Sequence, residues 1–286
     1  NTPPIIDYTQ SEMLLLAEKI VKSQRTVTGV QPKLSLSSKK MLKDSAIERF
    51  TVVGIWGKYI LKPQTELYEQ LPEIEDLTMH LAELSKIKIV EHSLIRLKSG
   101  ELAYITKRID RSEKNKLHME DMCQLTERLT EHKYKGSYEQ VAKTIKYFSA
   151  NPGFDNVNFY EIVLFCFLTG NNDMHLKNFS LLKGKDFNYN LCPAYDLVAS
   201  ELVVEGDDEE LALNLNGKKK RLKRKDFSIA MKMSGMNDKA IENVFKKFKK
   251  LQNIWHEFID KSFLTEEFKE RYHKMIIEKF KQIDIN

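Results

Sequence analysis

The chain is poor in the residues that build linkers, cross-links and sharp turns. Its 286 residues include 11 glycines, 7 prolines, 3 cysteines and 2 tryptophans. With so little Gly and Pro there is no Gly/Pro-rich linker and no low-complexity hinge. Cys123, Cys166 and Cys192 are odd in number and far apart, so neither a disulfide framework nor a zinc knuckle follows. A reducing cytoplasm is the expected location. Long apolar runs are also lacking. The longest, residues 162–168, has seven residues, against about 20 for a membrane helix, so no membrane partner is expected. No secretory signal is visible, and the opening residue is Asn1 rather than Met, which predicts a trimmed native N-terminus. No internal repeat is evident.

What is present is enough apolar sequence for a folded protein, 42% hydrophobic and 10% aromatic. The net charge of +5 points first toward nucleic acid. That charge is local. Residues 218–250 carry 13 Lys+Arg against 3 Asp+Glu, an excess of +10, so the remainder is −5. The core of this segment, from Lys218 to Lys225, has no interleaved aromatic, which leaves base stacking unsupported. Residues 201–210 hold six acidic residues and no basic one. Two readings stand: oppositely charged loops that attract each other or stay solvated, or a basic surface that docks an acidic or tRNA-bound substrate. Direct nucleic-acid contact is expected only through Lys218–Lys225.

Residues 11–23 show helical apolar spacing, and 34–37 alternate as a strand does. Strands are predicted at 50–53 and 58–61, a helix at 75–84, and strands at 87–97 and 102–107 around a turn at Ser99-Gly100. Beyond Asp110 helical spacing dominates, at 141–148, 159–169, 238–258 and 268–280. Strands are expected only at 179–182 and 211–215. The expected architecture is α+β, with a small strand-rich lobe over residues 1–110 and a larger helical lobe over 111–286.

The densest polar cluster follows the apolar run: Gly170-Asn171-Asn172-Asp173-Met174-His175-Leu176-Lys177-Asn178. Further on comes Pro193-Ala194-Tyr195-Asp196-Leu197. These residues suit phosphoryl transfer. An Asp can accept the proton of a substrate hydroxyl, and an Asn five residues later with a distant Asp can hold Mg²⁺ between nucleotide phosphates. Alone, D-x₄-N also describes a turn or helix cap, and Asp196 is followed by Leu rather than Phe-Gly. A strand lysine and a helix glutamate should accompany such a loop. Lys62 ends the strand-like Tyr59-Ile60-Leu61-Lys62, and Glu75 opens the next helix, with Glu69 and Glu73 competing. Thr26-Val27-Thr28-Gly29-Val30-Gln31 stands where a phosphate loop should but has one glycine.

In this order, Thr-Val-Thr-Gly-Val-Gln-Pro-Lys (26–33), Ile-Leu-Lys-Pro (60–63), Arg-Ile-Asp-Arg (108–111), Glu-Asp-Met-Cys-Gln (120–124), the 170–180 loop and Pro-Ala-Tyr-Asp-Leu resemble the HipA family of bacterial serine/threonine kinase toxins. The resemblance implies a protein-kinase-like bilobal fold with ATP in the cleft. It also implies phosphorylation of an aminoacyl-tRNA synthetase, which would halt translation. By motif, Asp173 would be the catalytic base, with His175 and Lys177 beside it; His175 could equally be packing the loop. Asn178 and Asp196 would hold Mg²⁺, and Tyr195 would adjoin the nucleotide. Lys62, paired with Glu75, would contact the ATP phosphates. Thr28, Gly29, Val30, Gln31, Pro32 and Lys33 would line the nucleotide loop, and Lys107, Arg108, Ile109 and Asp110 would form the hinge around adenine and ribose. About 25 residues precede the loop, which resembles the short split form, HipT, whose partners are a separate HipS-like subunit and a DNA-binding HipB-like antitoxin. Thr26 and Thr28 would occupy the autophosphorylation position. The alternatives are a small-molecule phosphotransferase and a catalytically silent nucleotide-binding module.

Overall fold

A computed structural model describes residues 4–24, 33–40, 48–53, 56–112, 115–184, 186–204, 206 and 208–285. They fall into two compact units: residues 1–76 with 90–111, and residues 77–89 with 112–286.

The first unit is built on a six-stranded sheet. In chain order its elements are β1 (Ile5–Ile6), α1 (Gln10–Gln24), β2 (Leu34–Lys40), β3 (Glu48–Val52), β4 (Tyr59–Pro63), the start of α2 (Leu71–Leu84), β5 (His92–Arg96) and β6 (Leu102–Lys107). The strand order is β1-β3-β2-β4-β6-β5, antiparallel except for β1 against β3. Period-2 alternation decides which face is buried: Leu34 and Leu36 are fully buried beside half-buried Ser35 and Ser37. They pack with Met13 and Ala17 of α1, Phe50, Leu61, Ala103 and Ile105. Gly57 is dictated by crowding, since a Cβ there would fall 2.5 Å from the Leu36 carbonyl oxygen. Gly100 closes the β5–β6 hairpin at φ +105°, a conformation that suits glycine.

The second unit takes the rest of α2 and continues with β7 (Met119–Asp121), α3 (Met122–Leu125), α4 (Tyr138–Phe148), α5 (Pro152–Leu168), β8 (Ser180–Lys183), β9 (Tyr189–Leu191), α6 (Arg224–Met233), α7 (Asp238–Lys249), α8 (Gln252–Asp260) and α9 (Glu266–Gln282). A small antiparallel sheet runs β7-β8-β9. Ser137 and Gln140 form a capping box on α4, and Asp121 and Gln124 form one on α3, satisfying helix-end N–H groups. Pro152 stands in the first turn of α5, where its missing N–H costs nothing. Residues 162–168, the longest apolar run, are the buried end of α5. Around α5 the aromatics pack edge to face: Trp255 lies 5.5 Å from Phe165 and 5.7 Å from Phe280 between ring centroids, and its indole N–H donates to Ser85 Oγ at 3.1 Å.

Five expectations change. Beyond Asp110, β7 and β9 are strands outside the two ranges expected there, each only three residues long and so too short to show a period. The strand expected over 87–97 is confined to His92–Arg96; Lys86 is left-handed at φ +58° and residues 85–87 close α2. The helix expected over 238–258 is two helices, broken at Lys250-Leu251. Its periodicity continues across the break because Phe248 and Trp255 enter one core, 5.9 Å apart. Residues 211–215 alternate in burial only in part and meet turn residues through isolated bridges, forming no strand. α6 arises inside the basic segment, where the run of charge hides its apolar stripe of Phe227, Ala230 and Met231.

Candidate active site

In the first unit, β4 carries Lys62 opposite Tyr104 of β6. The next helix turns Glu75 inward, and the Lys62 Nζ donates to Glu75 Oε1. Both side chains are buried, at 5% and 1% exposure. Burying a lone charge is costly, so such a pair persists only where the partners meet. Of Glu69, Glu73 and Glu75, the structure pairs Glu75 with this lysine. The Lys62 ammonium also lies over the Tyr104 ring, 5.3 Å from its centroid. At the end of β6, the Lys107 ammonium pairs with Glu91 at 2.9 Å. Arg108 grips Asp110 through two hydrogen bonds of 3.0 and 2.9 Å, and Arg111 joins the same carboxylate. This Arg-Asp-Arg network rigidifies residues 108–111, with Ile109 half-buried between them. Lys33 is exposed just before β2. Thr26, Thr28, Gly29, Val30, Gln31 and Pro32 lie outside the described residues.

In the second unit, α5 ends at Leu168 and the chain reverses through Gly170 at φ +66°. The following loop is held by its own asparagines. Asn171 Oδ1 accepts from the Asp173 N–H at 3.2 Å. The Asn172 N–H donates to Ser200 Oγ at 3.1 Å, and the Ser200 hydroxyl returns a hydrogen bond to Asn172 Oδ1. Tyr138 of α4 donates to the Met174 carbonyl at 3.1 Å. A 3₁₀ turn, Leu176–Asn178, leads into β8. There the Asn178 Nδ2 donates to the Asp173 carbonyl at 3.2 Å, so the D-x₄-N spacing is realised as one hydrogen-bonded loop. Asn171 and Asn172 are the residues that sequence reasoning passed over. Their signal was polarity immediately after an apolar run, where a buried polar side chain must find partners.

Asp196 has a left-handed backbone at φ +57°. For a residue other than glycine this is uncommon and costs energy, and such strain concentrates at functional positions. Tyr195 anchors the turn: its hydroxyl lies 2.6 Å from Ser180 Oγ and 3.1 Å from the Lys177 carbonyl. His175 is 6% exposed, and burial pushes its imidazole down to about 4. The Asp173 and Asp196 carboxylates oppose that shift, and Lys133 reinforces it. Both aspartates therefore act on one side chain, which joins the loop and the later motif electrostatically, and the imidazole is neutral near pH 7. Lys177 pairs with Asp121 of β7 at 3.3 Å.

The oxygen donors suit a hard cation. With its amide nitrogen engaged by Asp173, the oxygen of Asn178 is its remaining donor atom, and Asp196 adds a carboxylate.

The chain matches the HipA-like C-terminal domain over residues 25–255. It belongs to this family. It is 30% identical over 209 residues to a protein named "Putative kinase" from Haemophilus influenzae, and 32% identical over 207 residues to one named "Putative kinase Y4dM" from Sinorhizobium fredii. These alignments cover 68% of this chain but 58% and 49% of the relatives, so the chain spans about half the length of the curated relatives it matches. Its fold is similar to that of HipA from Shewanella oneidensis, solved with HipB and operator DNA: TM-score 0.72 at 18% identity, covering 93% of this chain and 70% of that one. It is also similar to the Helicobacter pylori proinflammatory kinase CtkA: TM-score 0.57 at 19% identity, covering 79% and 88%. The HipA-like chain is thus a mixed α+β protein with a strand-rich sheet and a helical portion.

The head of the basic segment is paired within the second unit. Lys218 pairs with Asp226 and Lys219 with Glu209, both at 2.9 Å, and Lys220 with Asp208 at 2.5 Å. The Leu222 N–H donates to Glu210 at 2.9 Å. Of the two readings of these runs, mutual attraction is the one the contacts favour. No helix among the described residues is long and apolar enough to cross a membrane.

Proposed function

We propose that this HipA-like chain is an ATP- and Mg²⁺-dependent protein kinase of toxin type that phosphorylates serine or threonine hydroxyls. The observation that carries the reading is the buried Lys62–Glu75 pair. A lysine at a strand end is ordinarily solvated, and one buried against a helix glutamate is the phosphate-orienting device of protein kinases. Family membership and relatives named as kinases support the same conclusion.

In this reading Asp173 orients the acceptor hydroxyl and takes its proton. Asn178 fixes the loop through the Asp173 carbonyl and, with Asp196, offers oxygen ligands to Mg²⁺. When bound, the metal supplies charge neutralisation at the triphosphate. Lys62 orients the phosphates, and neutral His175 packs the loop without adding positive charge. The Arg108–Asp110 network stiffens the segment assigned to adenine and ribose. We extend the proposal to a cytoplasmic role in which an aminoacyl-tRNA synthetase is the target, a HipB-like antitoxin and a HipS-like subunit are the partners, and phosphate on Thr26 or Thr28 weakens ATP binding by like-charge repulsion.

The test is incubation with γ-labelled ATP, Mg²⁺ and a cell lysate, beside an Asp173→Asn control. Label transfer to a protein band absent from the control supports the proposal, and mass spectrometry of that band names the target. ATP consumption with label only in a small metabolite would replace it with a small-molecule phosphotransferase. Binding without turnover would leave a silent nucleotide-binding module.

A further inference from the structure

The turn between α3 and α4 reaches onto the Asp173 loop at several points. It opens with a 3₁₀ segment, Thr130–His132. The Lys133 carbonyl accepts from the Leu176 N–H at 3.1 Å, and Thr130 Oγ1 lies 3.5 Å from Lys177 Nζ. Between these contacts Tyr134 runs inward from the surface. Its residue is 43% exposed, yet its hydroxyl donates to Asp173 Oδ1. Its ring stands edge-on to His175, 5.0 Å between centroids at 80°, and Lys133 Nζ caps the ring at 4.9 Å.

A phenolic O–H donating to the carboxylate of Asp173 makes the contact that an acceptor hydroxyl must make before phosphoryl transfer. Only one hydroxyl can use that oxygen in that direction. We propose that Tyr134 gates acceptor entry: its hydroxyl holds the substrate's place on Asp173, and an incoming hydroxyl must displace it. This rests on the kinase reading above. The ring is held by His175 and Lys133 as well as by the hydroxyl, so the tyrosine can release Asp173 while its aromatic contacts keep the wall of the acceptor site. The gate acts on the acceptor side and leaves nucleotide binding to Lys62, Asn178 and Asp196.

The experiment compares steady-state MgATP hydrolysis, with water as acceptor, in wild type, Tyr134→Phe and Asp173→Asn. Tyr134→Phe removes the competing O–H and keeps the ring. The expected result is a rise of about tenfold to a hundredfold in kcat, the scale of one hydrogen bond to a charged group, with KM for ATP unchanged. A merely structural tyrosine would not raise turnover at constant KM. A kcat that is unchanged or lower in a folded Tyr134→Phe protein overturns the gate while wild-type turnover, absent in Asp173→Asn, leaves the kinase reading intact. Wild-type hydrolysis no greater than that of Asp173→Asn overturns both. A second measurement covers a variant that fails to fold. Nitration of Tyr134 by tetranitromethane, mapped by mass spectrometry, should rise several-fold in Asp173→Ala over wild type. Equal labelling overturns the proposal.

Discussion

Replacing Glu75 by leucine leaves the Lys62 ammonium buried without its carboxylate. At side-chain exposures of 5% and 1%, the pair is shielded from water, so solvent cannot take over the lost interaction. Removing one partner of such a pair costs about 3–5 kcal/mol, whereas replacing both with apolar residues of similar volume is near neutral or stabilising. Lys62→Met with Glu75→Leu should therefore restore most of what Glu75→Leu loses. Urea unfolding is the assay. With a slope of about 1–3 kcal/mol per molar urea, the single variant should lower the midpoint by about 2 M, and the double variant should return toward wild type. The same set separates stability from function, because the double variant should be folded yet transfer no phosphate. The reasoning fails if Glu75→Leu costs less than about 1 kcal/mol, or if the two single costs simply add, since either outcome would mean the charges are solvated.

Gly170→Ala should cost about 1–3 kcal/mol, because φ is +66° and the new Cβ would lie 2.4 Å from Met275 Sδ; thermal melting checks this, and activity should fall with the displaced loop. Asp226, fully buried, has its carboxyl held below the ordinary range: burial alone would raise it, and hydrogen bonds from Lys218, Asn216 and the Lys223 N–H outweigh that. A depressed carboxyl stabilises the fold above the unfolded value and loses that contribution as pH falls through the folded one. Wild type should therefore lose melting temperature below about pH 4, and Asp226→Asn should show a shallower acid limb from a lower neutral-pH value. Asp208→Asn with Glu209→Gln should release Lys219 and Lys220 and raise the salt concentration for elution from heparin. Equal elution would show that these lysines are already free to bind polyanions.

Local signals sufficed wherever the chain's own neighbours decide structure. Period-2 alternation marked β2, the Ser99-Gly100 turn marked the β5–β6 hairpin, and helical spacing marked α4, α5 and α9. The apolar run at 162–168 is a buried helix end because seven such residues have no other low-energy place. The order of polar motifs was legible too, and so was Lys62, since residue type and spacing are local properties. Tertiary structure decided what depends on partners distant in sequence. It selected Glu75 over Glu69 and Glu73: Glu69 is exposed ahead of α2 and Glu73 is half-buried in its first turn, whereas Glu75 lies on the buried face of that helix, where it meets Lys62. It broke 238–258 into two helices, which one hydrophobic core makes look continuous. It also paired Lys219 and Lys220, at the head of the +10 segment, with Glu209 and Asp208 of the acidic run, since attraction between residues 208–210 and 218–220 depends on distance in space. The hydroxyl of Tyr134 on Asp173 belongs with these: a tyrosine 39 residues upstream carries no local mark of the carboxylate it meets.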